Sequence, residues 1–390
     1  ITSGGNYNVA VGDEAGTALT TGDNNVAVGF EALSTEDAHG NNTAVGYRAL
    51  KTLNAGAEGY NVAVGYDAGS AVSTGVSNTL IGSQSGDALT TGGYNVAVGH
   101  LALSTEDTSN NNTAVGYAAL MTLNGGTQNV ALGQSAAVAM TTGNQNTIIG
   151  TNAGDALTDA DGNVALGTLA LTSDTLGSDS IAIGNNALSS QNFTTATSSY
   201  NVAIGKNAGL DITTGRQNTL MGGVAGDALT DADENVAIGY AALSTDTLGS
   251  KSTAIGFAAL NGQNFTTATD SFNTAVGHSA GLSVTTGTYN TFIGSEAGEA
   301  NTTGANNTAV GALALESTTT GTNNTAIGQA ALFENTLGSY SIAVGRGALQ
   351  NQNYTTATDA YNTAVGHEAG NDVTTGDLNT LIGGLAGDAL

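Results

Sequence analysis

Four histidines, His39, His100, His278 and His367, are the side chains best suited to moving protons at neutral pH, and they stand far apart in the chain. There is no Cys, and no Ser has an obvious paired base, so neither usual arrangement for nucleophilic catalysis is visible. His100, His278 and His367 share one place, directly after a recurring Gly, where Tyr, Phe, Ser and Lys also occur. That variety reads as an exposed site rather than a column of ion ligands. Glycine-rich stretches abound, yet none ends in the Lys-Ser/Thr of a phosphate loop. Acidic groups at Glu36/Asp37, Asp159/Asp161 and Asp231/Asp233/Glu234 have the oxygen ligands that calcium takes. They lack the spacing of known calcium loops and read as solvated acids. The expectation is a protein that is not an enzyme and has no cofactor, with calcium the one ion its residue types favour.

Binding chemistry is better represented. Three insertions carry nearly the same sequence: Gln191-Asn192-Phe193-Thr194-Thr195-Ala196-Thr197, the stretch 263–269 with Gln263, Asn264 and Phe265, and the stretch 352–358 with Gln352, Asn353 and Tyr354. Insertions in a repeat array project from one edge, commonly the binding edge, so these residues are the candidate ligand contacts. Aromatic residues add to them. Tyr7, Tyr60, Tyr94, Tyr200, Phe272, Tyr289 and Tyr361 precede a recurring Asn; Tyr47, Tyr66, Tyr117 and Tyr240 follow a recurring Gly. With Asn, Thr and Asp beside them, such rings suit stacking on sugars, and rim packing explains them as well. Asn-x-Thr at 41–43 and 111–113 matches a glycan acceptor formally but falls out of the repeat itself.

The elements that position these residues are set by one pattern: Asn/Ser, Val/Thr/Ile, a small or apolar residue, an aliphatic residue or Met, then Gly. It occurs 22 times, for example Asn42 to Gly46, Asn95 to Gly99 and Asn201 to Gly205. The step is 17 residues, except 19 once and 21 three times, and the long steps fall after Gly46, Gly184, Gly256 and Gly345. A fixed period of this kind predicts a solenoid, here an all-β parallel β-solenoid or β-roll of 22 rungs, running as one continuous domain over 1–390. Each motif is a short strand. The aliphatic fourth position (Val11, Val28, Val45, Val64, Ile81) is expected to face the core, and the third, usually Ala, the other side. The leading Asn, replaced by Ser at 180, 252 and 341, is expected to form a ladder of stacked amides or to close its own turn. Gly suits the corner that follows.

Two kinds of rung alternate in pairs. In one, the Ala three residues past Gly is followed by Leu (Leu33, Leu50, Leu103, Leu120, Leu171, Leu188). In the other it is followed by Gly, with an aliphatic residue three later (Leu19, Val72, Leu89, Leu157, Ile212). The second Gly rung of a pair carries a bulky third strand residue: Leu80, Ile148, Leu220, Phe292 and Leu381. On the Ala face these are either plugs in a seam between chains or isolated exposed groups. At ~4.8 Å per strand the rungs predict a rod on the order of 105 Å. So thin a core favours several chains side by side, most economically a homotrimer.

Composition narrows the class. A formal charge of −26 repels nucleic acid and anionic lipid. No apolar run approaches a membrane span, so no membrane insertion is expected in this segment. Absent Pro suits an unbroken ladder. Both ends fall within a repeat, which reads as a segment of a longer fibre protein.

The copies Asn201-Val202-Ala203-Ile204-Gly205-Lys206-Asn207-Ala208 and Ser180-Ile181-Ala182-Ile183-Gly184-Asn185-Asn186-Ala187 resemble the head repeats of YadA-like trimeric autotransporter adhesins, and similar repeats of phage tail fibres and bacterial surface fibres. The resemblance implies a left-handed parallel β-roll, a trimer, and attachment to surfaces; the repeat here is a few residues longer. The expected function is a structural fibre or adhesin segment, extracellular, on a cell surface or in a virion tail fibre, whose partners are itself and a host or surface receptor such as a glycan. Two alternatives stand beside it: a self-assembling extracellular filament, and an ice-binding or calcium-dependent glycan-binding solenoid. The Thr-Thr-Gly array at 20–22, 90–92, 213–215, 285–287 and 374–376 would serve ice, but the Leu rungs interrupt it.

Overall fold

The structure, a computed structural model, describes residues 4–105 and 107–390. It is an all-β parallel β-solenoid of about 22 turns with a repeat of about 17 residues. The chain divides into two compact units, Ile1–Ser199 and Tyr200–Leu390. The first runs from strand Val9–Val11 to strand Ile181–Ile183 and the second from Val202–Ile204 to Thr380–Ile382. Within each unit successive three-residue strands pair parallel and in register, so Ala27 lies beside Ala44 and Ala63 beside Leu80.

The alternation along the strand is real, but its phase is opposite to that expected. The third residue points inward: Ala27, Ala44, Ala63, Ala97 and Ala114 are fully buried. The fourth faces out, with Val64, Ile81, Leu132 and Ile293 each more than a third exposed. The second, Val or Thr, is half-buried on that same outer face over most of the chain. The reason is the width of the coil. Leu33, Leu50, Leu103 and Leu120 reach across from the far wall and are fully buried, leaving room for little more than a Cβ on the strand. Each such Leu contributes about 2 kcal/mol of burial.

The bulky third residues follow from the same constraint. Leu80, Ile148, Leu220 and Phe292 are neither seam plugs nor exposed; they are core. Leu80 occupies the space left where Gly69 and Gly86 replace Leu in its own turn and the one before, and a Cβ on either glycine would collide with it. That far-wall position has left-handed backbone whichever residue fills it, φ 57° at Gly69 and 49° at Leu50. Gly adopts it freely and Leu at a cost, so Gly with a large strand residue and Leu with Ala are two solutions to one volume. The corner three residues further holds the expected aliphatics Leu19, Val72, Leu89, Leu157 and Ile212, all buried, and Met140 fills it in the Ala136-Ala137 turn. The motif Gly has φ near 137° at Gly116, where a Cβ would strike the carbonyl oxygen of Gly133 in the next turn.

Candidate functional site

The Asn column both stacks and closes its turn. The backbone N–H of Asn112 donates to Asn95 Oδ1 at 2.9 Å, and that of Asn129 to Asn112 Oδ1 at 3.0 Å. The amide nitrogen of Asn112 donates to the Gly126 carbonyl, also 3.0 Å away. Asn42 takes its place on Asn25 Oδ1 at 3.0 Å, and Asn201 Oδ1 receives the N–H of Asn218 at 2.9 Å. All these amides are buried, so each link satisfies backbone groups that water cannot reach.

Where Ser replaces Asn, a second polar assembly takes over. Ser180 still donates its N–H to Asn163 Oδ1, but it has no amide to continue the column. Gln191 supplies one: its Nε2 donates to Ser180 Oγ at 2.9 Å and to Asp174 Oδ2 at 2.6 Å. Asp174 Oδ1 accepts the N–H groups of Gly177 and Phe193, each at 3.0 Å, and Ser180 Oγ meets Ser199 Oγ at 2.6 Å. The same assembly recurs at Asp246, Ser252, Gln263 and Ser271, and there it extends to Asn273, whose Nδ2 donates to Gln263 Oε1 at 2.9 Å. A third version uses Asn335, Ser341, Gln352 and Asn362, with Tyr354 Oη donating to the Gly376 carbonyl at 2.7 Å.

These contacts place the candidate loop residues. Gln191, Gln263 and Gln352 are fully buried, and Phe193, Phe265 and Tyr354 are only 5% exposed. They anchor the loops. Asn192, Asn264 and Asn353 lie nearer the surface and accept from Thr175, Thr247 and Thr336 of the preceding turn. What the loops turn outward is Thr194-Thr195-Ala196, Thr266-Thr267-Ala268 and Thr355-Thr356-Ala357. Each loop also adds a small parallel sheet, Gly177–Ser178 with Thr197–Ser198 in the first case. Sequence reasoning passed over Asp174, Asp246 and Asn335. The available signal was that Ser for Asn at 180, 252 and 341 coincides with the three 21-residue steps.

The acidic groups are occupied in joining turns. Asp161 Oδ1 accepts the Asn144 N–H at 2.7 Å, Asp159 Oδ1 the Thr142 hydroxyl at 2.7 Å, and Asp233 Oδ1 the Arg216 N–H at 2.7 Å. Glu36, Asp37 and His39 bring ligand atoms within 4.8 Å of one another. Glu36 Oε1 already accepts the N–H groups of Asp37 and His39, and Oε2 that of Ala55.

Exposed rings form ladders. Phe30, Tyr47 and Tyr66 stack at 5.4 and 5.1 Å, and Tyr240, Phe257 and His278 at 5.7 and 5.2 Å; His100 stacks on Tyr117, Phe272 on Tyr289, and Tyr340 on Tyr361. Ring faces within a ladder cover one another and present edges to solvent, which leaves few faces for a sugar. Tyr7, Tyr60, Tyr94 and Tyr200 stand outside these stacks, more than half exposed. Among the described residues no helix is long and apolar enough to cross a membrane. No protein-family model matches the chain, and no curated protein is similar to it in sequence.

Proposed function

We propose that the chain is a structural attachment segment: a solenoid whose copies associate side by side, three together, and which carries repeated loops on an extracellular or virion-surface fibre. The observation that carries this reading is the outer strand face. In each unit it sets Val, Thr, Ile, Leu and Met side by side over successive turns, with Met221, Ile293 and Ile327 among those more than a third exposed. An unbroken column of large aliphatic side chains, flanked by a column of Val and Thr, is rare on a protein that stays alone, and covering it with further copies removes it from water. The seam is therefore this face and not the Ala face, which is already filled. The likeness of the Asn-Val-Ala-Ile-Gly copies to YadA-like head repeats supports the same arrangement. Anchored corners such as Gln191/Phe193 repeat the same outward threonines in three loops, which suits many weak contacts acting together.

Sedimentation equilibrium of the whole chain tests the assembly. The expected mass is three times that of the monomer, and substituting Ile255, Ile293 and Ile327 with Lys should release monomers. A wild-type chain that sediments as a monomer at all concentrations would overturn the trimer.

A further inference from the structure

The second unit contains a hollow of ≈ 230 Å³ that the repeat does not produce by rule. It is lined by Leu313, Gln329, Ala330, Phe333, Arg346 and Gln350. Its origin is legible in one column, the residue two past the motif Gly. There Leu313 is followed in the next turn by the smaller Ala330, and both line the hollow. The position five past Gly holds Phe333, the one aromatic in its column. The hollow also falls where three Leu rungs follow one another, the single break in the paired order.

The lining has a definite chemistry. Leu313, Ala330 and Phe333 give an apolar wall. Gln329 and Gln350 bring two amides and Arg346 a planar set of donors; Gln350 Oε1 already accepts from Asn371 Nδ2 at 3.2 Å, so its amide nitrogen is the group it offers. Arg346 Nη1 is held by Glu368 Oε1 at 2.7 Å and faces His367 Nε2 at 3.2 Å, which fixes the guanidinium. Glu368 also balances its charge, and the −26 of the chain disfavours an anion. A compact neutral molecule with one apolar face and a rim of hydroxyls matches these groups: C–H bonds against Phe333, hydroxyls on the two amides and the guanidinium.

We propose that this hollow is a binding site for a neutral pyranose, the terminal or internal unit of a surface glycan. The inference takes from the attachment reading only the source of the ligand, and its lining shares no residue with the loops.

Saturation-transfer NMR on the whole chain tests it, with glucose, galactose, mannose, N-acetylglucosamine and N-acetylgalactosamine each at about 20 mM, enough to fill a millimolar site. Glucuronate and N-acetylneuraminate are the anionic controls. Ala330→Leu fills the hollow, and the same column already accepts Leu at φ 58° and 60° in Leu169 and Leu313. The expected result is transfer to at least one neutral sugar, reduced at least about tenfold by A330L and kept by Thr194→Ala. If A330L melts early, Gln350→Ala, which removes one rim amide, replaces it. No transfer to any neutral sugar, transfer to the anionic sugars alone, or transfer unchanged in A330L (or in Q350A where it stands in) would overturn the site. Adhesion of the labelled chain to cells, measured alongside, reports on the attachment reading by itself: absence of adhesion would defeat that reading, whatever the sugar spectra show.

Discussion

Asp174 and Asp87 are both carboxylates folded against the coil, and the protein treats them oppositely. Asp174 is fully buried and surrounded by donors: Gly177 N–H, Phe193 N–H and the Gln191 amide. Asp87 is only half-buried, yet its Oδ1 is shut away without a hydrogen-bond partner. Burial pushes the Asp87 carboxyl above its usual 3.8; its own backbone N–H and the Gln84 side chain act against the shift, and the nearby charge of Asp67 adds to it. Asp227 repeats the second case, raised by burial and by Asp211. Depth is therefore a poor guide to what an acid does here; Asp174 has donors on both oxygens, and Asp87 leaves Oδ1 bare. The third corner adds a control of its own, because Asn335 stands where the other two have Asp174 and Asp246.

The largest effect is expected from emptying a donor-rich corner. Asp174→Leu leaves the Gly177 and Phe193 N–H groups and one proton of the Gln191 amide without an acceptor, at about 1–3 kcal/mol for each group, so a loss of about 4 kcal/mol is expected in urea unfolding. Asn335→Leu should cost about half as much or less, since it strands chiefly one proton of the Gln352 amide, while the Gly338 carbonyl keeps the Asn324 amide at 2.9 Å. Equal losses at the two corners would show that shape alone holds these loops.

Exchanging the two residues sharpens the point at smaller scale. Asp174→Asn turns one acceptor into a donor facing the Gln191 amide, a cost of about 1–2 kcal/mol. Asn335→Asp puts a carboxylate against the Gly338 carbonyl, which now accepts from Asn335 Nδ2 at 3.0 Å. At neutral pH that costs about 2–3 kcal/mol. Protonation restores a donor, so the folded-state pKa of the new acid lies above its unfolded value, and the deficit should shrink as pH falls through it. Melting curves at pH 7 and pH 4 check this; a deficit larger at pH 4 would contradict it.

How far the sequence carried is clear from these same residues. Period, strand direction, in-register stacking and the corner aliphatics were readable because a repeat permits one kind of neighbour. The phase of the strand was not. Val45 is larger and more apolar than Ala44, and a rule that ranks residues singly puts Val45 inside. What decides is the volume left by Leu33 and Leu50 opposite, and only the pairing of Leu80 with Gly69 and Gly86 records it in the sequence. The buried half of each loop was hidden for a related reason. Gln191 and Phe193 look like surface residues in an insertion until Asp174, 17 residues before Gln191, is seen to face them.

The smallest expected effect belongs to the donor-poor acid, and it has the opposite sign. Because the folded-state pKa of Asp87 exceeds that of the unfolded chain, the folded protein holds more protons between the two values. Stability therefore falls as pH rises through that window, and the cost is fully present at neutral pH. Asp87→Asn removes the charge and keeps the shape. The variant should melt at pH 7 at or about 1 °C above the wild type, since partial exposure screens much of the penalty. Below the ordinary carboxyl range the two curves should coincide. An Asp87→Asn protein that loses stability at pH 7 would mean that a donor reaches Oδ1 after all, and the contrast with Asp174 would then reduce to one of depth.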